Sequence, residues 1–280
     1  MNLVIGADGL IGRALVLRLL GEGRPVVRTM RVPEAGAVGL DLSVDVSAWA
    51  PPCEVAVAYL CAAVTSIEDC RKAPADSFAV NATGTVNLAR TLLRQGALVV
   101  FPSTNLVFDG STSLARAEMP VAPATQYGRQ KAEGEKQLTA LSDRVCIVRF
   151  SKVLGPRTPL LMRLADDLRK GRPVHPFSDM PVSPVPLDFA VDVLLHVGQE
   201  RLRGTVQVSG TQDVSYEAIA RHLARRIGAS ETLVEPIKAA TADPRREHVP
   251  THTTLDVSRL QDELRMTPPD VWTTIDGAFA

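Results

Sequence analysis

Tyr127 and Lys131 stand four residues apart in a segment, Gln126–Leu141, whose pattern predicts a helix. At that spacing the phenol and the ammonium project to one side. A phenol titrates at roughly 10 and is a poor acid or base at neutral pH unless fixed positive charge favours its anion. With Lys131 beside it, Tyr127 could hand a proton to a carbonyl oxygen while hydride reaches the carbon. A solvated surface pair is the other reading of Tyr-x-x-x-Lys standing alone. Ser103 and Thr104 follow the strand-like run Ala97–Phe101, at the strand end where open parallel sheets bind ligands. Their hydroxyls could hydrogen-bond a substrate oxygen as charge develops, or simply cap a turn.

The third feature is Gly6-Ala7-Asp8-Gly9-Leu10-Ile11-Gly12, between a predicted first strand, Leu3–Ile5, and a predicted first helix over about 10–20. Glycine at three such points gives a tight turn, close approach of backbone N–H groups to a pyrophosphate, and close helix–sheet packing. The helix N-terminus adds a positive dipole end for the anion. A dinucleotide cofactor follows. After the second strand, Val27-Arg28-Thr29-Met30-Arg31 contains no carboxylate to hold ribose hydroxyls, and Met30 falls where that acid would stand. Arg31 suits a 2′-phosphate, whose oxygens match the planar guanidinium fork, so NADP(H) is expected first and NAD(H) stays open. Solvated strand-end charge is the alternative reading of Arg28 and Arg31.

These residues need a scaffold of alternating strands and helices, and the chain supplies one. Strands are expected at Val26–Thr29, Val38–Leu42, Val55–Cys61, Ala97–Phe101 and Val145–Phe150, with helices over 10–20 (Leu10, Ala14, Leu17 and Leu20 sharing a face), 76–94 and 126–141. Such alternation predicts an α/β, Rossmann-type doubly wound parallel sheet. The second half is broken by Pro and Gly, with helices at Leu160–Arg169 and Tyr216–Ile227 and a late strand at Thr205–Val208. It reads as a small C-terminal substrate lobe: residues 1–150 with about 183–210 form the dinucleotide-binding part, and about 151–182 with 211–280 the lobe.

Composition narrows the function classes. The chain has 280 residues, long enough for a substantial core, with 45% hydrophobic and 22% charged residues. Lys+Arg and Asp+Glu are 31 each, a balance that argues against nucleic acid or an acidic membrane as partner. The apolar run Val55–Val64 is half of the roughly 20 residues a bilayer span needs, and no basic leader precedes the first strand, so the cytoplasm is expected. The four cysteines form no Cys-x-x-Cys pair and read as reduced thiols. His248 and His252 have metal-ligand spacing, but Pro250 between them forbids the helix that would align them, so no metal is expected.

Ser103-Thr104-Asn105-Leu106-Val107-Phe108-Asp109-Gly110 is similar to the S-T-D-Y-V-F-D-G of the dTDP-4-dehydrorhamnose reductase family, in the extended branch of the short-chain dehydrogenase/reductases. Val80-Asn81-Ala82, Asn87-Leu88-Ala89, Tyr127-Gly128 through Lys131 with Gly134-Glu135, Ser183-Pro184, Asp188-Phe189-Ala190 and Leu255–Leu260 extend the resemblance over essentially the whole chain. It implies Thr104, Tyr127 and Lys131 as the catalytic trio with Ser103 beside them. It implies cofactor contacts at Gly6, Gly9, Leu10, Ile11, Gly12, Arg31, Asp41, Leu42, Cys61, Ala62, Ala63, Tyr127 and Lys131, with Asp41 and Leu42 flanking the adenine. Substrate contacts are implied at Thr65, Thr104, Asn105, Lys152, Val153 and Arg245. Arg149, Lys152, Arg245 and Arg246 are candidates for a diphosphate, the last two also reading as solvated loop charges. The departures fall on the substrate side: Cys61-Ala62-Ala63 replaces N-A-A, Val64-Thr65 lacks the usual tyrosine, and Lys152 replaces an aromatic.

The resemblance implies an NADPH-dependent reductase of a nucleotide-linked 4-keto (deoxy)sugar. An epimerase or dehydratase on the same fold remains open, though dehydratases carry acids after the Thr where Asn105-Leu106 stands. So does a non-catalytic NADP-binding subunit, like the regulatory subunit of methionine adenosyltransferase. Small faces on the two long helices (Ala82, Gly84, Ala89; Ala132, Gly134) could pair with a second copy in a homodimer, or pack on the sheet.

Overall fold

The computed structural model describes residues 1–242 and 248–279. Seven parallel strands form one sheet: β1 (Asn2–Ile5), β2 (Val26–Met30), β3 (Val38–Gly39), β4 (Val57–Leu60), β5 (Leu98–Thr104), β6 (Val145–Phe150) and the edge strand Gly204–Val208. Their order is Gly204–Val208, β6, β5, β4, β1, β2, β3. The chain builds outward in both directions from the β1–β4 neighbours. That switch point opens a crevice beyond the carboxyl ends of the strands.

Every residue of β1 and β4 is buried, as a strand covered on both faces requires. Alternate side chains enter separate cores. Val4 packs with Leu15 and Leu19 of α1 (Leu10–Gly21) and Val193 and Leu194 of α7 (Leu187–Gln199). Leu3 and Ile5 pack with Leu88 and Leu92 of α4 (Thr85–Arg94) and Leu138 of α5 (Gln126–Leu141). In the C-terminal half, α6 (Pro159–Arg169), α8 (Tyr216–Ile227) and the helix Val271–Phe279 share a further cluster around Leu161, Leu223 and Ile275.

Three expectations about elements need correction, and one further element carried no sequence signal. The expected α1 face is turned outward: Leu10, Leu17 and Leu20 are 56%, 62% and 55% exposed, while Gly12, Leu15, Val16 and Leu19 are buried. This helix is apolar nearly all round, so its period does not select a face. Close packing of Gly12 on the Gly6 carbonyl does. The strand expected over Val38–Leu42 shrinks to two residues at the sheet edge, where one neighbour gives little pairing to propagate. The helix expected over 76–94 is three pieces: α3 (Pro74–Phe78), a π-helical segment Ala79–Gly84, and α4. Finally α7, which no amphipathic stripe announces, covers one side of the sheet.

The small faces of the long helices are buried within the chain. Gly84 abuts the Leu42 carbonyl and Gly134 the Phe101 ring. Among the described residues no helix is long and apolar enough to cross a membrane.

Candidate active site

The glycine loop is shaped by its own backbone. Gly6 has φ +78, and a Cβ there would run into the Ala62 backbone at 2.6–2.7 Å. The Gly6 and Ala7 N–H groups both donate to the Thr29 carbonyl (3.2 and 2.9 Å), tying the loop to β2. Gly9 is the N-cap of α1, and no side chain caps that helix. It faces a cavity of about 600 Å³, and a Cβ on it would touch only the Gly6 carbonyl, at 3.5 Å. The first turn of α1 is therefore open toward the cavity, the arrangement that holds a phosphate.

The α5 terminus is closed in the same place. Thr125 Oγ1 accepts from the Gly128 N–H at 3.0 Å. Gly128 lies so near the Leu106 carbonyl that any Cβ would collide with it, which presses α5 onto the turn leaving β5. In that turn Thr104 Oγ1 accepts from the Leu106 N–H at 3.2 Å. Thr104, Tyr127 and Lys131 consequently line one cavity together with Gly9.

Lys131 is only 2% exposed, and its Nζ sits 3.5 Å from the centre of the Phe101 ring. Burial pulls its pKa down to about 7, opposed chiefly by the nearby Glu135 carboxylate. Burial pushes the Cys61 thiol up to about 12 and holds the Tyr127 phenol above its ordinary range. The phenol is thus a proton donor at neutral pH.

A buried amide chain keeps these walls in place. Val64 N–H donates to Asn81 Oδ1 (2.8 Å), while Asn81 Nδ2 donates to the Val64 carbonyl (2.9 Å) and Gln130 Oε1 (2.8 Å). Gln130 Nε2 continues to Ser77 Oγ at 2.7 Å. The widened π turn contains Asn81, so the loop after β4 is bolted to α5 at the residue next to Lys131.

Residues 1–278 match the model of the RmlD substrate binding domain family. The chain belongs to this family. It is similar to a probable low-salt glycan biosynthesis reductase of Haloferax volcanii (28% identity, 99% of this chain and 97% of that protein). A dTDP-4-dehydrorhamnose reductase of Streptomyces griseus is 30% identical over 92% of this chain and 86% of its own. Among solved structures, the Bacillus anthracis dTDP-4-dehydrorhamnose reductase in complex with NADP superposes with a TM-score of 0.88 at 21% identity, covering 99% and 98% of the two chains. The Clostridium acetobutylicum reductase gives 0.87 at 24% identity, over 98% and 97%.

Against the positions expected from the RmlD-like motifs, Leu10, Ile11, Cys61, Ala63, Thr65, Ser103, Asn105, Lys152 and Val153 also line the cavity. Gly6, Gly12 and Ala62 lie behind the wall as its packing. At the rim of β2 and β3, Arg28 is spent on the Ala35 and Gly36 carbonyls (2.6 and 3.1 Å), whereas Arg31 is exposed. Asp41 is held by the Ser43 N–H and hydroxyl, which lower its pKa, and Leu42 is buried in the core.

Two expectations change. Arg149 does not face a diphosphate: it is 5% exposed and clamps Glu135 through Nε (3.1 Å) and Nη2 (2.7 Å). Ser103 reaches the cavity, but its hydroxyl donates to the same carboxylate at 2.5 Å. Arg245 and Arg246 lie outside the described residues.

The sequence did not announce the opposite wall, where Met180, Val182, Tyr216, His248, Pro250 and Thr253 contribute. Apart from Tyr216, which opens α8, they come from short stretches with no period. The one available signal was Asp109-Gly110, onto whose carbonyls His248 Nε2 (2.6 Å) and the Thr251 and His252 N–H groups (3.1 and 2.8 Å) dock.

Proposed function

We propose that this family member is an NADPH-dependent reductase of a 4-keto (deoxy)sugar carried on a nucleoside diphosphate, a short-chain dehydrogenase/reductase of the extended type. The observation that carries the reading is a buried phenol, protonated at neutral pH, sharing a cavity with a buried amine, the Thr104 hydroxyl and an uncapped helix N-terminus. The reductase names of its relatives and the NADP in the Bacillus anthracis complex agree with it.

The open start of α1 and the closely packed Gly6–Gly12 loop suit a pyrophosphate, and the exposed Arg31 guanidinium suits a 2′-phosphate better than ribose hydroxyls. NADP(H) is accordingly the preferred cofactor and NAD(H) the secondary one; bound there, it supplies the hydride. Tyr127 gives its proton to the ketone oxygen, and Lys131 as an ammonium steadies the phenolate left behind. Thr104 accepts from the Leu106 N–H (3.2 Å) and donates a long bond of 3.4 Å to Asn105 Oδ1, a proton it can turn to the same ketone oxygen when substrate enters. Lys152, exposed on the cavity wall at the position where the family resemblance implies an aromatic, provides charge for the diphosphate. Asn105, Thr65 and Val153 shape the sugar side.

In this reading residues 1–150 with about 183–210 hold the cofactor, about 151–182 and 211–280 hold the sugar, and the enzyme works in the cytoplasm. Purified protein mixed with NADPH and a panel of nucleoside-diphosphate 4-keto sugars should consume NADPH with at least one of them. Measurable NADPH binding without consumption across the panel would overturn the assignment.

A further inference from the structure

Tyr127, Lys131 and Glu135 succeed one another at four-residue intervals along one face of α5. Glu135 is 5% exposed, and its carboxylate accepts only from Ser103 Oγ and from Arg149 Nε and Nη2 among the described residues. Arg149 is itself fully used. Its Nη1 donates to the Ala117 carbonyl (3.1 Å) and Gln207 Oε1 (3.4 Å), and Gln207 Nε2 goes on to the Ala115 carbonyl (2.8 Å) and the Asp256 carbonyl (3.1 Å). This is a closed buried polar network, built against the floor of the cleft.

A buried ion pair gains little stability over apolar side chains of similar size, because both charges lose their water. Its position beside a buried amine gives it another use. Without Glu135 the interior would hold two cations, Lys131 and Arg149, with no carboxylate between them. A guanidinium does not release its proton in a protein, so the lysine would release its own.

We propose that Glu135, clamped by Arg149 and Ser103, is a positioning residue that keeps Lys131 an ammonium in the cavity it shares with the Tyr127 phenol during ketone reduction. The inference deepens the reductase reading and rests on it for its kinetic consequence. It assigns Ser103 a second task, aiming the Glu135 carboxylate, beyond any contact with substrate. The titratable groups whose charge reaches Lys131 are Glu135 from α5 and Cys61 just after β4; Tyr127 lines the same cavity one turn earlier on α5, and Phe101 of β5 offers only a neutral ring. Of these, Cys61 and Tyr127 hold their protons, and Glu135 is the one engaged in an ion pair, with Arg149.

The test is the pH dependence of kcat for NADPH-dependent reduction. It is run on wild type, Ser103→Ala, Glu135→Gln, and the double variant Glu135→Gln/Arg149→Met, which removes both buried charges so that the fold is kept. In Glu135→Gln, which leaves Lys131 and Arg149 with no carboxylate between them, the basic limb should move to lower pH by about one unit or more, a tenfold loss above it, with KM near wild type. In the double variant, with Arg149 gone as well, the shift should be smaller. Ser103→Ala should move it in the same direction by less. An NMR titration of the Lys131 side chain in lysine-labelled protein reads the same shift without turnover. A limb and a Lys131 titration that both stay at their wild-type positions in both Glu135-substituted variants would overturn the proposal and leave Glu135–Arg149 a packing device. Should wild type consume no NADPH with any keto sugar, the reductase reading fails, while the NMR titration still decides for or against Glu135.

Discussion

The helices α1 and α5 both aim their N-termini at the cleft, from opposite faces of the sheet, yet they serve it by opposite means. On α1 the useful groups are backbone N–H donors, left uncapped at Gly9, and past the first turn the side chains are mostly ordinary apolar ones, two of them leucines out in solvent. On α5 the terminus is already satisfied by Thr125, and the useful groups are side chains: a phenol, an ammonium and a carboxylate, all buried. Binding an anion needs only geometry, which glycine supplies without burying charge. Moving a proton needs ionisable groups in a dry place, and α5 carries that burden in stability.

The contrast can be broken at its strongest point first. Tyr127→Phe should lower kcat for reduction by roughly 10²–10⁴-fold, the range of general acid catalysis, while NADPH affinity holds. Parallel losses in both would show that α5 also builds the cofactor site. Gly9→Ala keeps an allowed backbone, φ being −73, and meets no clash, so the apoprotein should melt as wild type does. Its NADPH Kd should nonetheless rise about tenfold, the scale of one charge-assisted hydrogen bond; an unchanged Kd would remove α1 from anion binding.

Stability sharpens the α5 side. The Lys131 pKa of about 7 lies below its ordinary value of 10.5, so burying the ammonium destabilises the fold in full below pH 7, and this penalty fades as pH climbs toward 10.5. Lys131→Met should therefore melt a few degrees above wild type at pH 6, with the gain shrinking at alkaline pH, as calorimetry would record. The smallest effect is expected at the cap: Thr125→Ala should cost about 1 kcal/mol, or roughly 2–4 °C in Tm.

Much of this could be read from the residues. The bounds of α5, β6 and α8 match the expected ones: α5 and α8 have helical spacing, β6 is an apolar run of strand length, and α8 ends at Gly228, whose φ is +71. The glycine loop and Tyr127–Lys131 were visible for a related reason, since local geometry alone ties residue type to spacing. What escaped depends on partners far away in the chain. Nothing local distinguishes Arg149, which meets Glu135 across 14 residues, from the solvated arginines. Asn81 finds Gln130 across 49. The α1 face was misjudged because a helix with leucine on every side leaves the choice to packing.

The π-helical segment Ala79–Gly84 makes chain length, more than residue identity, the sensitive variable there. Such a turn amounts to one residue inserted into an otherwise regular helix. Since each residue rotates an α-helix by about 100°, a single-codon deletion would swing one flank past the other. Either the Asn81 amide would leave Val64 and Gln130, or Leu88 and Leu92 would leave the sheet. A substitution at the exposed Thr83 should pass unnoticed, whereas removing that same residue should disable the protein.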